Sequence, residues 1–228
     1  IDGTAGSTQY LLSGGMFLQD GLLPKSGFDK YTFRSNLQHK FNKFLTIGSH
    51  MQFSYMEKES AGGSNTTGDL SSVWRAGWPT LPIYNEDGSY AVPAQNSAIS
   101  GYFSDDNKWN PVWNMQQTTN TKTTSRILGD VYAEIQIMKN LTFKTNFGID
   151  LSNARSYNYT TSQMTNSSGT GSGGNGYTKS LSRLTENILT YSNVWNDHRF
   201  SATGVYSWQD YVYEDMSMSG KGFANDET

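Results

Sequence analysis

Between residues 30 and 57 the chain alternates apolar and polar side chains one for one. Tyr31, Phe33, Leu37 and Phe41 fall on one parity, and Thr32, Arg34, Asn36, Gln38 and Lys40 fall on the other. That is the two-residue period of a β-strand. After a polar corner at Asn42 and Lys43 the pattern returns, with Leu45, Ile47, Met51, Phe53 and Tyr55 against Thr46, Gly48, His50, Gln52 and Ser54. Each arm alternates for about ten residues, beyond the ~5–6 of an ordinary globular strand and close to the ~9–11 with which a tilted strand crosses a bilayer. Parity alone fits both a membrane barrel with a watery lumen and a soluble sheet with one wet face.

The same pattern recurs. Residues 8–19 carry Tyr10, Leu12 and Met16 on one parity; residues 126–138 set Ile127, Val131, Ala133, Ile135 and Ile137 against Asp130, Glu134 and Gln136. After a corner at Lys139 and Asn140, residues 141–151 return with Leu141, Phe143, Phe147, Ile149 and Leu151 opposite Thr142, Lys144, Asn146 and Asp150. Residues 181–195 form a further strand, which Asn196, Asp197 and His198 turn back into Phe200, Ala202, Gly204, Tyr206 and Trp208. The expected total is about seven strands. Two stretches without alternation, 58–124 and 153–176, read as long loops. The first contains a small hairpin with an Asp87-Gly88 corner, and the second ends in a Gly/Ser run with a flexible composition.

Tight corners and long connections alternate along the chain, so all the tight corners lie at one end of the sheet. A soluble sandwich has no physical reason to sort its loops this way, whereas outer-membrane barrels have short periplasmic turns and long extracellular loops. The expected fold is therefore all-β: a segment of an antiparallel up-and-down transmembrane β-barrel, with residues 1–228 forming part of one barrel domain. Tyr31, Phe33, Leu37, Ile47, Met51 and Phe53 are expected towards lipid. Arg34, Asn36, Gln38, His50 and Gln52 are expected towards the lumen.

Composition sharpens this picture. Charged residues make up 16% of the chain and aromatics 14%, against about 25% charged in typical soluble proteins. No apolar run is long enough for a transmembrane helix. The mean hydropathy of -0.61 argues nothing against a barrel, whose strands alternate. A net charge of -3 offers no basic field to nucleic acid, and the absence of cysteine excludes disulfides and thiolate metal sites within this chain. The chain opens at Ile1 with neither a charged nor an apolar leader, and is expected to be a piece of something larger.

Candidate chemistry is sparse. His39, His50 and His198 fall on different faces or in a corner, so no metal or other cofactor is expected. Asp105 with Asp106, and Glu57 with Glu59, lie in loops or at strand ends, where solvated charge is the ordinary state, and no pair of groups with opposed pKa shifts is visible. No catalytic residue is assigned, and the chain is not expected to be an enzyme. The loop aromatics Trp74, Trp78, Tyr84, Tyr90, Trp109 and Trp113 are the one constellation suited to binding, because flat rings stack on sugars or pack a protein partner. They suit equally a small satellite core that holds the loop folded, or an interfacial girdle.

Certain short pieces, in order and spacing, resemble the SusC/RagA family of TonB-dependent outer-membrane transporters. They include Ser13-Gly14 with Gln19-Asp20-Gly21, Arg34-Ser35-Asn36-Leu37, and Pro79-Thr80-Leu81-Pro82 leading to Tyr84-Asn85-Glu86-Asp87-Gly88-Ser89-Tyr90. Further along come Asn110-Pro111-Val112, Leu141-Thr142-Phe143-Lys144-Thr145, Phe147-Gly148-Ile149-Asp150 and Gly222-Phe223. The resemblance implies a plugged barrel of about 22 strands in the bacterial outer membrane, with a SusD-like lipoprotein lid. It also implies energy from the TonB complex, engaged through an N-terminal part that this chain lacks, and uptake of an oligosaccharide or peptide substrate. The rival expectation is a soluble or surface β-domain that binds glycans through the loop aromatics.

Overall fold

The computed structural model describes residues 1–61, 82–91, 110–164, 169–223 and 225–226, with the backbone alone at Pro111. Its strands are β1 (Asp2–Ala5), β2 (Thr8–Asp20), β3 (Gly27–Lys40), β4 (Leu45–Glu59), β5 (Thr118–Met138), β6 (Leu141–Thr160), β7 (Gly171–Trp195) and β8 (His198–Phe223). They form one antiparallel sheet in the order β1-β2-β3-β4-β5-β6-β7-β8. The one helix among the described residues, α1 (Pro111–Gln116), leads into β5.

The strand count is eight, not about seven. The addition is β1, whose four residues are too short to show a period. The expected loops also shrink: 58–124 gives up its ends to β4 and β5, and 153–176 gives up most of its length to β6 and β7. The Gly/Ser run, expected to be flexible, enters β7 as regular strand from Gly171. Glycine there makes room: a Cβ on Gly173 would stand 2.9 Å from the Tyr159 ring of β6.

Because each strand pairs with the next, connections alternate between the two ends of the sheet. The turns at Gly6, Asn42, Lys139 and Asn196 share one end. They are locally encoded: the Asn42 side chain accepts hydrogen bonds from the amides of Phe44 and Leu45 at 2.8 and 3.0 Å, and Asn196 takes a φ of 51°, a conformation Asn tolerates better than most residues. The opposite end carries the link from β2 to β3, the long connection into α1, and the connection from β6 to β7.

The register sorts side chains onto two faces. One row runs Phe33, Phe53, Ile127, Leu151 and Leu181; a row on the reverse face includes Asn36, His50, Asp130 and Gly148. On the apolar face, moving away from the short turns, the first Asp, Glu, Lys or Arg is Asp20 on β2, Asp29 on β3 and Glu57 on β4. It is Arg155 on β6, Arg183 on β7 and Asp210 on β8. β5 carries no charge on this face, and between β6 and β7 the boundary steps three rows toward the short turns; below these first charges the belt is charge-free.

No second layer covers that belt among the described residues. Among the described residues the buried apolar side chains are Ala91, Met115, Tyr132 and Tyr159, while Phe33, Leu37, Phe53, Val131 and Phe147 are exposed. Burying an apolar side chain of this size is worth roughly 1.5–3 kcal/mol. A sheet with its apolar face bare therefore needs an apolar surrounding.

Candidate functional site

Two clusters carry the polar and aromatic chemistry. The first lies on the polar face and is organised by Tyr132 of β5. Gly48 stands opposite it, and the ring lies flat on that glycine, where a Cβ would stand 2.5 Å from the ring. The Tyr132 hydroxyl donates to Gln38 Oε1 at 3.1 Å, His50 stacks on the ring with centroids 5.6 Å apart, and Lys144 Nζ stands 4.3 Å above it. His50 Nδ1 lies 3.2 Å from both carboxylate oxygens of Asp130.

Beside this cluster, Arg34 donates to Gln52 Oε1 at 2.9 Å. Arg126 makes a bidentate pair with Asp150 at 2.7 and 2.6 Å. The structure thus places Arg34, Asn36, Gln38, His50 and Gln52 on a single face and joins Gln38 to His50 through Tyr132. Tyr132 was overlooked because it shares the parity of Asp130 and Glu134, and parity says nothing of the glycine facing it. No three His, Cys, Asp or Glu side chains converge on a metal site among the described residues.

The second cluster caps the end opposite the short turns. Tyr84 and Tyr90 bridge as antiparallel partners, and Gly88 turns the chain between them at a φ of 83°. The Ser89 hydroxyl and amide donate to Asp87 and hold its carboxyl below the usual carboxylate range. The Tyr84 and Tyr90 rings are 5.1 Å apart, and Tyr90 and Trp113 are 5.4 Å apart.

Asn110 ties this hairpin to α1. Its Oδ1 caps the helix by accepting from the amides of Val112 and Trp113, and its Nδ2 donates to the carbonyls of Ile83 and Ala91 at 2.7 and 3.2 Å. Lys25 reaches across from the β2–β3 link to the carbonyls of Gln116 and Thr118. Of the six expected loop aromatics, Tyr84, Tyr90 and Trp113 are brought together here, with Tyr84 half exposed. Trp74, Trp78 and Trp109 lie outside the described residues.

Nearby, Asp226 accepts from the Ser162 amide at 2.8 Å, the Ser162 hydroxyl at 2.6 Å and the Tyr159 hydroxyl at 3.0 Å. This latch joins the chain beyond β8 to the β6–β7 connection, and the Ser162 hydroxyl leads in lowering the Asp226 pKa.

No protein-family model matches the chain. Two proteins of Formosa agariphila align with all of it: "TonB-dependent receptor P26" at 30% identity and "TonB-dependent receptor P3" at 26%, each with 22% of its own length covered. The chain therefore spans about a fifth of the curated relatives it matches. Among solved structures, a chain of the RagAB peptide transporter superposes on 99% of this one with a TM-score of 0.77 and 20% identity. The RagAB peptide importer in its "open-open" state gives 0.78 at 21% identity; in both cases 25% of the matched chain is covered. None of these proteins is named as an enzyme. Along its whole length the chain is thus similar to a stretch of TonB-dependent receptor, and its fold is that of a segment of the RagAB transporter's β-barrel.

Proposed function

We propose that this chain forms part of the wall of an outer-membrane importer that takes up an oligosaccharide or peptide with energy from the TonB complex. The observation that carries the reading is the charge-free apolar belt on a single uncovered sheet. It is bounded at one end by tight turns and at the other by the first charges of every strand from β2 to β8 except β5. A belt of that kind matches the outward band of a membrane barrel. A soluble glycan-binding domain would have to cover it with a second layer.

In this reading the polar face with Arg34, Asn36, Gln38, His50 and Gln52 lines the lumen, and the short turns lie at the periplasmic rim. The Tyr84–Tyr90–Trp113 cluster stands at the extracellular mouth, where it meets cargo or a SusD-like lipoprotein lid; Trp74, Trp78 and Trp109 belong to the same connection. The name of the RagAB peptide transporter supports peptide as one cargo class. In this reading cargo is bound and passed unchanged.

The test uses the full-length protein in its own cells, with labelled oligosaccharides and peptides offered separately. Uptake should depend on the receptor gene and on TonB, and the receptor should co-purify with a surface lipoprotein. A receptor that fractionates as a soluble protein and binds glycans without any uptake would replace this reading with the soluble-domain one.

A further inference from the structure

Three successive rows on the apolar face form a gradient across β3, β4, β5 and β6. The deepest row is Phe33, Phe53, Ile127 and Leu151; the next is Tyr31, Tyr55, Ser125 and Asn153; the third is Asp29, Glu57, Thr123 and Arg155. Apolar side chains thus give way to hydroxyls and an amide, and then to charges. The middle row is interrupted at Ser125, whose small side chain sits between Tyr55 and Asn153. The interruption opens a notch of about 370 Å³, with Phe33, Phe53, Ile127 and Leu151 below and Tyr31, Tyr55 and Asn153 at its rim. Asn153 is held in place by the Tyr177 hydroxyl, which donates to its Oδ1 at 3.0 Å.

We propose that this notch is a lipid site that holds one acyl chain of a zwitterionic phospholipid at the headgroup boundary. The inference rests on the barrel reading above, which turns this face to the bilayer. A gap in an apolar wall forfeits dispersion contacts on its lining atoms, and a flexible acyl chain restores them. The volume falls in the ~300–1,000 Å³ range of ligand pockets. The charges above the notch choose the head group: Glu57 and Asp29 stand on one side of Thr123 and Arg155 on the other. An ammonium fits beside the two carboxylates and a phosphate beside the guanidinium, an arrangement that a purely anionic lipid would satisfy only in part.

The full-length receptor is reconstituted in phosphatidylethanolamine vesicles doped with phosphatidylethanolamine that carries a diazirine near the carbonyl end of one acyl chain. After illumination, adducts are mapped by peptide mass spectrometry. Adducts should concentrate on Tyr55 and Ile127 over Met16 and Trp208, which are exposed on the same face, on β2 and β8. Ser125→Trp fills the notch and should lower the Tyr55 and Ile127 adducts roughly fivefold, the loss expected when about one buried methylene is removed. Met16→Trp should leave them unchanged. Heat-modifiable migration verifies that each variant is assembled, and Ser125→Phe replaces the tryptophan variant if that one fails to assemble. Adducts spread evenly over the face and indifferent to Ser125 would overturn the lipid site. A face free of adducts throughout, Met16 and Trp208 included, would instead overturn the barrel reading on which it rests.

Discussion

Leu37 and Gln38 sit one peptide apart on β3 and point to opposite faces. Leu37 belongs to the charge-free belt, while Gln38 accepts the Tyr132 hydroxyl on the polar face. A lysine facing lipid near the bilayer midplane of a barrel costs about 2–4 kcal/mol, whereas a lumenal lysine stays in water. Leu37→Lys should therefore sharply reduce the assembled, heat-modifiable form in outer-membrane fractions, and Gln38→Lys should leave it near the wild-type level. Equal tolerance would mean that the faces are assigned the wrong way round. Gly48 makes a second residue-scale case. Because the Tyr132 ring occupies the space above it, Gly48→Val must displace the ring and with it the bond to Gln38 and the stack on His50. Overpacking of this kind costs typically 1–3 kcal/mol. An equally stable variant in denaturant titrations would show that the ring moves freely.

At the scale of elements, the strands run further than their hydrophobic pattern. Residues 31–55 were readable as strands because one face meets an apolar medium and the other water. Toward the long connections both faces of β5, β6 and β7 carry polar or small residues, as in Thr118-Thr119-Asn120-Thr121 and Gly171-Ser172-Gly173-Gly174. Alternation stops there although pairing does not, and residues 153–160 and 171–176 were accordingly read as loop. The loop package was legible in its Asp87-Gly88 corner but not in its anchor. Asn110 stands out in sequence only within the Asn110-Pro111-Val112 piece, and its anchoring role depends on Ile83 and Ala91, which are distant in sequence.

Removing that anchor has a predictable cost. Asn110→Ala loses a helix cap worth roughly 1 kcal/mol and strands two carbonyls, each costing ~1–3 kcal/mol if left without a partner. Limited proteolysis should then cut the connection into α1 faster, with the strands untouched. The latch at Asp226 responds to pH. Its carboxyl pKa lies below the ordinary value because the charged form is hydrogen-bonded, so its contribution is complete above the unfolded value of about 4 and is lost as pH falls through the lowered folded one. The protection factor of the Ser162 amide, corrected for the intrinsic pH dependence of exchange, should fall on acidification below that range, and Asp226→Asn should abolish this change.

At the scale of the whole molecule, the described wall builds no hydrophobic core of its own. Among the described residues the buried apolar groups are few and lie mainly in the loop package or against glycine, while the sheet presents one dry and one wet face. Such a sheet is stable only as part of a closed barrel, where every edge is paired. This agrees with alignment of the whole chain to about a fifth of its relatives. The order of the strands and their two-faced character could be read from sequence, because both follow from local period and turn residues. The Tyr132 cluster and the Ser125 notch depend on which residues face each other across strands.

In the barrel reading the tight turns and the aromatic cap lie on opposite sides of the outer membrane. This stretch contains no cysteine, so single substitutions in a full-length receptor stripped of any cysteine elsewhere give clean reporters. Lys43→Cys and Asp197→Cys mark the turn end, and Asp87→Cys marks the cap. With a membrane-impermeant maleimide on intact cells, the account predicts labelling at position 87 and none at 43 or 197 until the outer membrane is permeabilised. Labelling of the two turn positions on intact cells, with position 87 protected, would contradict it.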